Sequence, residues 1–180
     1  MTPHTIHPAA VSGIKLLLMD VDGVLTDGKL YFGPEGCALK AFSVRDGMGI
    51  ANLHRAGVLT GVISGRDEEG VRRRAEELGM AVVVLGEASK GTAVERLLEE
   101  RGLPSSAVAF IGDDVNDLPA MMKVGVTIAV ADAHPEVRSF VQYVTRADGG
   151  DGAVREVCDA ILGVESARSV LDGDDPGGTP

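Results

Sequence analysis

The stretch Ile14-Lys15-Leu16-Leu17-Leu18-Met19-Asp20-Val21-Asp22-Gly23-Val24-Leu25-Thr26-Asp27 decides the fold of this chain. Its first part, from Ile14 to Met19, is a short and nearly continuous apolar run, which predicts a strand buried on both faces. The run ends at two aspartates separated by one residue. Unpaired charges at the end of a buried strand cost several kcal/mol each, and a divalent cation is the simplest group that would compensate them.

Length and composition predict one domain of ordinary size. The chain has 180 residues, of which 44% are hydrophobic, and this is enough for a single core. We expect a flexible N-terminal arm at residues 1–13, the domain at 14–165, and a disordered tail at 166–180, where glycine, aspartate and proline are concentrated.

Charge and cysteine content narrow the class of protein. The formal net charge of −10 opposes binding to nucleic acid, because phosphate backbones select basic surfaces. The two cysteines, Cys37 and Cys158, lack a metal-type spacing and predict reduced thiols. No apolar run reaches the ~20 residues that span a bilayer, and no signal peptide is visible, so we expect a cytoplasmic protein without a membrane partner.

Beyond the first strand, apolar runs alternate with helical patterns. Two β-prone runs around Gly33–Gly36 predict a hairpin, and Asp46 is placed to cap a helix that ends near Arg55. Further strands are predicted at 58–63, 81–85, 108–111, 126–130 and 143–144, with intervening helices and a final helix at 153–162. This alternation predicts an α/β fold: a doubly wound, Rossmann-like parallel sheet with helices on both faces, a small β-hairpin flap and no large cap domain.

Unusual polar residues follow several of these strands directly. Asp20 and Asp22 follow the first strand, Ser64 follows the second, and Asp113 and Asp114 follow a later one. Right-handed crossovers place the carboxyl ends of parallel strands at one edge of the sheet. If the first strand is central, the two acidic groups lie next to each other at the point where the strand order reverses, which is where doubly wound sheets bind ligands.

A magnesium site is predicted at this edge. Carboxylate oxygens suit Mg²⁺, which retains several waters and is commonly held by one or two carboxylates together with a substrate phosphate. Aspartates also serve as turn and cap residues, but two acidic groups that both follow strands favour the metal. The predicted metal-binding residues are Asp20, Asp22, Asp113, Asp114 and Asp117.

The same residues predict phosphate chemistry. A carboxylate can act as a nucleophile and form an aspartyl-phosphate, provided that the charge on the phosphate is neutralised. Lys90 begins a predicted helix after the third strand of the sheet and can supply positive charge. The hydroxyl of Ser64 and the amides of Gly65 and Arg66 can hold phosphoryl oxygens where a helix begins. Asp22 can protonate the leaving alkoxide, which favours phosphate esters over halides as substrates.

Four short motifs resemble the haloacid dehalogenase superfamily of phosphatases. The resemblance covers nearly the whole ordered length and implies Asp20 as nucleophile and Asp22 as acid/base. It also implies Mg²⁺ held by Asp20, the Asp22 carbonyl and Asp113, with Asp114 and Asp117 supporting the metal. In chain order the motifs are Asp20–Asp27, Ile63-Ser64-Gly65, Lys90 and Gly112–Asp117.

A narrower resemblance is to the 3-deoxy-D-manno-octulosonate 8-phosphate phosphatase family. It implies hydrolysis of a sugar-acid phosphate for lipopolysaccharide synthesis, and a homotetramer in which the hairpin joins subunits and a glycine-rich segment enters a neighbour's site. Thr26, Ser64, Gly65 and Lys90 are expected to bind the substrate together with Asp22. The segments that carry this resemblance are 22–28, 44–50, 63–66, 74–79 and 149–156.

Two arginines are candidates for binding the substrate carboxylate. Arg66 and Arg74 are both placed near the crevice end of the second strand of the sheet, and a guanidinium forms two parallel bonds with a carboxylate. Arg66 favours the octulosonate over the nine-carbon sugar acids, whose 9-phosphate phosphatases have an acidic residue there. The stretch Leu85-Gly86-Glu87 differs from the Gln-Gly sequence expected before the lysine in this family. The alternative substrates are therefore the 9-phosphate of a nine-carbon sugar acid or a broad range of sugar phosphates.

Alternatives from other classes explain the sequence less well. A non-catalytic assembly module with the same fold would be expected to have lost one of Asp20, Asp22, Lys90 or Asp113, and all four are present. A phosphotransfer receiver domain also uses an aspartate at a strand end with Mg²⁺. Such a domain has no need of Asp22 as an acid or of a second pair of aspartates this late in the chain.

Overall fold

The computed structural model describes residues 6, 8–33 and 38–163. Cys37, the turn at 34–37 and the tail predicted at 166–180 therefore lie outside the described residues, as does most of the first part of the N-terminal arm. Among the helices that are described, none is long and apolar enough to cross a membrane.

A parallel sheet forms the centre of the molecule. Its strand order is β5-β4-β1-β6-β7-β8, and every adjacent pair is parallel. The central strand, β1, is fully buried, as the continuous apolar run from Leu16 predicted. The strands of this sheet are β1 (Leu16–Met19), β4 (Leu59–Ile63), β5 (Val82–Val84), β6 (Val108–Gly112), β7 (Val126–Ala129) and β8 (Tyr143–Val144).

Helices connect these strands and reverse the direction of winding. From β1 the chain passes outward through β4 to β5, and it then crosses back to β6 on the other side of β1. Right-handed crossovers in opposite directions place the helices on opposite faces, and accordingly α2 packs against α7 while α4 packs against α5. The helices are α1 (Pro8–Val11), α2 (Val44–Arg55), α3 (Glu69–Glu77), α4 (Lys90–Arg101), α5 (Leu118–Met121), α6 (Pro135–Phe140) and α7 (Ala153–Leu162).

The predicted α/β doubly wound fold is confirmed, including the hairpin. Strands β2 (Tyr31–Phe32) and β3 (Ala38–Leu39) pair antiparallel and form a separate two-stranded sheet. Only this short hairpin stands between β1 and α2, so there is no room for a large cap domain. Within the predicted arm, the side chain of Val11 is buried in the core, and Ile6 is nearly so. Part of the arm therefore packs against the domain.

The capping prediction for α2 was wrong by three residues. Ser43 is the N-cap, and its hydroxyl accepts a hydrogen bond from the amide of Asp46 at 3.3 Å. Asp46 lies within the first turn and is buried, and its carboxylate accepts a hydrogen bond from the amide of Arg155 at 2.8 Å. This aspartate therefore joins α2 to the start of α7, a contact between residues 109 positions apart that a local pattern does not contain.

The glycine-rich segment before α7 packs against the loop that follows β1 in the same chain. The amide of Gly150 donates to the carbonyl of Val24 at 2.9 Å, and a Cβ atom on Gly149 would collide with the carbonyl of Gly23. Glycine is thus required at 149 because the two backbones approach closely. The predicted entry of this segment into a neighbour's site stays a prediction, since the structure contains one chain.

Candidate active site

The carboxyl ends of β1, β4 and β6 surround a polar cavity of about 270 Å³. The parallel register explains the convergence, because Met19 is level with Val62 on one side and with Ile111 on the other. The residues that follow these positions therefore emerge at the same edge of the sheet. The cavity is lined by Asp20, Asp22, Gly28, Ser64, Gly65, Arg66, Lys90, Asp113, Asp114 and Asn116.

Three aspartates form a compact group, two of which line this cavity. We call this group the carboxylate cluster: Asp20, Asp113 and Asp117. One carboxylate oxygen from each lies within 4.8 Å of the others. The Oδ1 atom of Asp113 is buried without a hydrogen-bond partner, and its other oxygen lies against Gly23. Gly23 has a φ of 89°, and a Cβ atom there would overlap that carboxylate, so the position requires glycine.

The electrostatics of the carboxylate cluster favour a bound cation. Burial, together with the charge of Asp117, raises the pKa of Asp20 to about 6, although Lys90 opposes the shift. Burial and the neighbouring aspartates, Asp20 first among them, raise the pKa of Asp113 to about 8. Oxygen ligands that repel one another, one of them unpartnered, suit a hard divalent ion such as Mg²⁺. The residues present therefore fit the predicted metal.

Lys90 is held against the carboxylate cluster from the first residue of α4. Its ammonium group lies 2.8 Å from Oδ1 of Asp20 and 2.6 Å from Oδ1 of Asp117, and its side chain is almost fully buried. Burial alone would lower the pKa of this lysine, but the two carboxylates raise it above the ordinary value. The lysine is thus a fixed positive charge beside Asp20.

Asp117 and Asp114 both stabilise the loop after β6, a structural role that the sequence did not distinguish from metal binding. Asp117 is fully buried, and its Oδ2 accepts hydrogen bonds from the amides of Asp113 at 3.0 Å and of Asp114 at 3.4 Å. Asp114 caps the short helix that follows, where its Oδ1 accepts from the amide of Val115 at 2.7 Å. Both residues therefore shape the loop that presents Asp113, and Asp114 also lines the cavity.

The side chain of Asp22 lines the same cavity and contacts a second group of charged residues. Its Oδ1 lies 2.6 Å from the ammonium of Lys40, and its Oδ2 lies 3.7 Å from Nε of Arg66. Glu68 completes the arrangement, at 2.8 Å from Lys40 and 3.7 Å from Arg66. We call these four alternating charges the outer ring: Asp22, Lys40, Glu68 and Arg66.

Ser64 lies in the cavity, as expected, but its surroundings differ from those predicted. The side chain is buried, and its Oγ accepts a hydrogen bond from the amide of Arg66 at 3.2 Å. The next helix, α3, begins only at Glu69, so Ser64 and Gly65 do not stand at a helix start. Because the amide of Arg66 is engaged by Ser64, the predicted use of this amide for phosphoryl oxygens is not supported by the arrangement.

Two other predicted substrate-binding residues lie outside the cavity lining. Thr26 is fully buried, and its Oγ1 accepts from the amides of Gly23 and Gly28 and donates to the carbonyl of Val21, which fixes the loop after β1. Arg74 projects from α3 to Glu77 at 2.9 Å and to the carbonyl of Ser43 at 3.4 Å. Asp117, predicted as a metal-binding residue, is also absent from the cavity lining, so Thr26, Arg74 and Asp117 are the predicted site residues that do not line the cavity.

Sequence reasoning missed Lys40 and Glu68 entirely. Lys40 directly follows β3 of the hairpin, and a lysine at the end of a short strand is typical of solvent-exposed surface. Glu68 precedes α3 and is typical of an acidic helix start. Only the folded arrangement shows that they meet at Asp22. Asn116 also lines the cavity, although the sequence pointed only to its aspartate neighbours.

A larger cavity of about 620 Å³ lies near α7, but its charged groups are already paired. Arg155 contacts Asp159 at 2.8 Å, Arg146 contacts Glu156 at 3.4 Å, and Arg45 contacts Asp151 at 3.5 Å. The smaller cavity at the strand ends is therefore the better candidate for the active site, because it contains the unpartnered oxygen of Asp113.

Comparisons with known proteins find relatives in the family that the sequence motifs resemble. Residues 77–157 match the family model of the haloacid dehalogenase-like hydrolases. The 3-deoxy-D-manno-octulosonate 8-phosphate phosphatase KdsC of Escherichia coli (strain K12) is 46% identical over 154 residues, which cover 86% of this chain and 82% of the relative. The enzyme of the same name from Haemophilus influenzae (strain ATCC 51907 / DSM 11121 / KW20 / Rd) is 44% identical over 162 residues, which cover 90% of each chain.

The fold is also that of a solved structure with bound ligands. The 3-deoxy-D-manno-octulosonate 8-phosphate phosphatase from Moraxella catarrhalis, in complex with a magnesium ion, a phosphate ion and a KDO molecule, superposes with a TM-score of 0.87 at 38% identity. The superposition covers 92% of this chain and 96% of that one. The chain therefore belongs to the 3-deoxy-D-manno-octulosonate 8-phosphate phosphatase family of the haloacid dehalogenase-like hydrolases.

Proposed function

We propose that this enzyme hydrolyses 3-deoxy-D-manno-octulosonate 8-phosphate to the free sugar acid and inorganic phosphate, in the supply of lipopolysaccharide precursors. The observation that carries the proposal is the placement of Asp20 beside the buried ammonium of Lys90 and the unpartnered oxygen of Asp113, in one polar cavity. The family and its relatives supply the substrate class, and the cavity supplies groups suited to phosphate transfer.

In the proposed first step, a carboxylate oxygen of Asp20 attacks the phosphorus of the substrate. A bond forms between Asp20 and phosphorus, and the bond from phosphorus to the sugar oxygen breaks. Lys90 is fixed close to the attacking carboxylate and neutralises negative charge on the phosphoryl group without having to reorganise. We propose that Ser64, whose buried side chain lines the cavity at the carboxyl end of β4, contacts a phosphoryl oxygen.

Asp22 supplies and removes the protons in the proposed scheme. Its protonated carboxyl gives a proton to the departing sugar oxygen, which would otherwise leave as an unstable alkoxide. In the second step a water molecule attacks the aspartyl-phosphate, Asp22 accepts a proton from that water, and inorganic phosphate leaves. Asp20 and Asp22 then return to their starting states.

The residues that would hold Mg²⁺ are the side chains of Asp20 and Asp113 and the main-chain carbonyl of Asp22. The ion would offset the charge of the phosphate and of the carboxylates. Asp117 is already engaged by Lys90 and by two amides, and Asp114 caps a helix, so we propose that both support the loop of Asp113.

We propose that Arg66 recognises the carboxylate of the sugar acid. Its side chain is 55% exposed at the edge of the cavity and makes only long contacts, of 3.7 Å, within the outer ring. A guanidinium so placed can turn toward a substrate carboxylate. Arg74 is not proposed to bind the substrate, because its side chain is only 16% exposed and contacts Glu77.

The assembly is proposed to be a homotetramer joined through the hairpin. Tyr31, Phe32 and Leu39 on this hairpin are all at least half exposed, which leaves an apolar surface on a small element. Light scattering after size-exclusion chromatography tests the subunit number, and replacing Phe32 by serine is expected to lower it. The expected cytoplasmic location stays a prediction.

The experiment that tests the activity is phosphate release from 3-deoxy-D-manno-octulosonate 8-phosphate, with Mg²⁺ present and after treatment with a chelator. We expect turnover that requires the metal. The 9-phosphate of a nine-carbon keto sugar acid is assayed in parallel, because Leu85-Gly86-Glu87 departs from the expected pattern. A preference for the 9-phosphate would contradict the octulosonate assignment, and inactivity on both esters would favour a non-catalytic module.

A further inference from the structure

The buried ammonium group of Lys40 has no part in the chemistry described so far. Its side chain is 4% exposed, yet it extends from the residue that directly follows the exposed Leu39 of the hairpin strand β3. A charge at this depth is retained only if opposite charges compensate it, because an unpaired buried charge costs several kcal/mol. The groups that compensate Lys40 are Asp22 at 2.6 Å and Glu68 at 2.8 Å.

From this contact we propose that Lys40 is a positioning residue that holds the side chain of Asp22 in the orientation needed for proton transfer. This inference rests on the proposed function, in which Asp22 is the acid/base. The contact gives the hairpin an indirect part in catalysis, through Asp22, beyond any part in subunit assembly. Asp22 lies on the loop after β1, and Lys40 lies 18 positions later along the chain, at the end of the hairpin. The way in which the hairpin packs against the domain therefore sets the position of the Asp22 carboxyl group.

The geometry of the outer ring supports this assignment over a purely structural ion pair. The side chain of Asp22 lines the cavity and is partly exposed. Its Oδ1 contacts the ammonium of Lys40 at 2.6 Å, and its Oδ2 contacts Arg66 at the longer distance of 3.7 Å. Glu68 forms a second ion pair with the same ammonium, at 2.8 Å, and so limits where Lys40 can lie. Of the two cations, Lys40 is the buried and close one, and Arg66 is free to turn to the substrate.

Lys40 is not placed to act on the substrate itself. It does not line the cavity, and its ammonium is covered by the two carboxylates that it contacts. An effect of Lys40 on turnover must therefore pass through Asp22. Misplacing a catalytic group by about 1 Å can cost up to about 100-fold in rate, so a loss of this size is expected when the lysine is removed.

The test compares esters whose leaving groups differ in their need for a proton. Lys40→Met is expected to lower kcat/KM for an alkyl phosphate by about 10- to 100-fold, because an alkoxide leaves only with a proton. The same variant is expected to lower kcat/KM for para-nitrophenyl phosphate by about 3-fold or less, because nitrophenolate leaves without one. The ratio kcat/KM is used because it reports the step in which the ester bond breaks.

Two variants separate positioning from folding. Lys40→Arg retains the positive charge, and we expect it to restore most of the selective loss on the alkyl ester. Lys29→Met is the matched control, since Lys29 precedes the same hairpin but is exposed and contacts Asp27 at 3.1 Å. This control is expected to leave both esters unaffected. Equal losses on both esters in Lys40→Met, or no rescue by arginine, would overturn the proposal.

A crystal structure provides a readout that does not depend on activity. In Lys40→Met the carboxyl group of Asp22 is expected to move from its wild-type position, while Asp20 and Lys90 keep theirs. An unmoved Asp22 would overturn the inference. If the wild-type enzyme fails on the octulosonate ester, the proposed substrate fails, but another alkyl phosphate and the crystal structure still test Lys40.

Discussion

The carboxylate cluster and the outer ring each contribute two side chains to the lining of one cavity, and they are built in different ways. The carboxylate cluster, with Lys90, stands at the ends of β1 and β6 and at the first turn of α4, where its side chains are largely buried. The outer ring stands on a loop, a hairpin and the segment before α3, and Arg66 within it is 55% exposed. The first group is fixed by the sheet, whereas the second depends on connecting segments.

This difference matches the two tasks of the proposed reaction. Transfer of a phosphoryl group requires fixed charges that need no reorganisation, and strand ends and helix starts supply them. Recognition of a particular leaving group requires contacts that differ between substrates, and loops on a rigid scaffold accommodate such differences. We therefore expect changes in the carboxylate cluster to affect all substrates equally, and changes in the outer ring to affect substrates selectively.

The largest expected effect is that of Asp20→Asn, which removes the proposed nucleophile. Turnover of every phosphate ester is expected to fall by at least about 10⁴-fold, as is common when a covalent nucleophile is lost. The fold is expected to persist, because the change removes one of several mutually repelling carboxylates. Steady-state assays and circular dichroism check both points, and turnover of any ester near the wild-type rate would remove Asp20 from its role.

The next largest effect is expected for Asp117→Asn. This residue is fully buried and pairs with Lys90 at 2.6 Å, so its loss leaves a buried ammonium with one partner fewer. We expect a fall of about 3 kcal/mol in the free energy of unfolding, and a fall in kcat of about 100-fold for all esters. Denaturant unfolding measures the first quantity and steady-state assays the second.

Asp27→Asn is the matched control for Asp117. Its partner Lys29 is exposed, and the pair lies outside the cavity lining, so no change in stability or in kcat is expected. An equal fall in the free energy of unfolding in both variants would show that burial of the ion pair between Asp117 and Lys90 does not make it more stabilising than an exposed pair.

Magnesium is expected to stabilise the protein more at alkaline than at acidic pH. The pKa of Asp113 is raised to about 8, so between the ordinary carboxyl value and this one the metal-free folded state binds a proton that the unfolded state does not. Stability from this group therefore falls as the pH rises through that window. Mg²⁺ binds the deprotonated carboxylates, and it removes the repulsion that causes the fall.

A thermal-shift experiment at about pH 8 and about pH 5.5 measures this effect. At a concentration about 100 times the dissociation constant, the metal adds about 2.7 kcal/mol, or several degrees in Tm, at the higher pH. The shift is expected to be smaller at the lower pH, and absent in Asp113→Asn. A shift that is independent of pH would mean that Asp113 is not a ligand.

The smallest expected effect is that of Arg66→Ala in the outer ring. We expect KM for the sugar-acid phosphate to rise about tenfold, because one charged contact is lost at a partly exposed site. KM for para-nitrophenyl phosphate, which lacks the sugar carboxylate, is expected to change little. Equal losses on both compounds would remove Arg66 from substrate recognition.

Arg73→Ala and Arg74→Ala sharpen this result. Arg73 is exposed on α3 and contacts Glu69 at 2.9 Å, so its replacement serves as a control without effect on KM. Arg74 lies outside the cavity lining, and we expect the same of it. A selective rise in KM for Arg74→Ala would restore the role that the sequence suggested.

Local signals were sufficient for most of the fold. The apolar run before Asp20 predicted the buried strand β1, and the later apolar runs predicted the other strands of the parallel sheet. The capping of α2 was misjudged because Ser43 and Asp46 are both good cap residues, and only the packing of Asp46 against α7 decides between them. When two nearby residues are both suitable N-caps, the local sequence alone does not decide which of them begins the helix.

The sequence by itself determined which residues follow the strands, and thereby that Asp20, Ser64 and Asp113 meet at one edge of a parallel sheet. It could not determine which charges pair there. The contact of Lys90 with Asp117, and the contact of Lys40 with Asp22 and Glu68, depend on the directions of long side chains and on how the hairpin seats. Periodicity in the sequence indicates the face of a strand or helix on which a residue lies. The pairing of charges that are distant in sequence depends on tertiary packing, because a charged side chain can be buried only where an opposite charge is buried beside it.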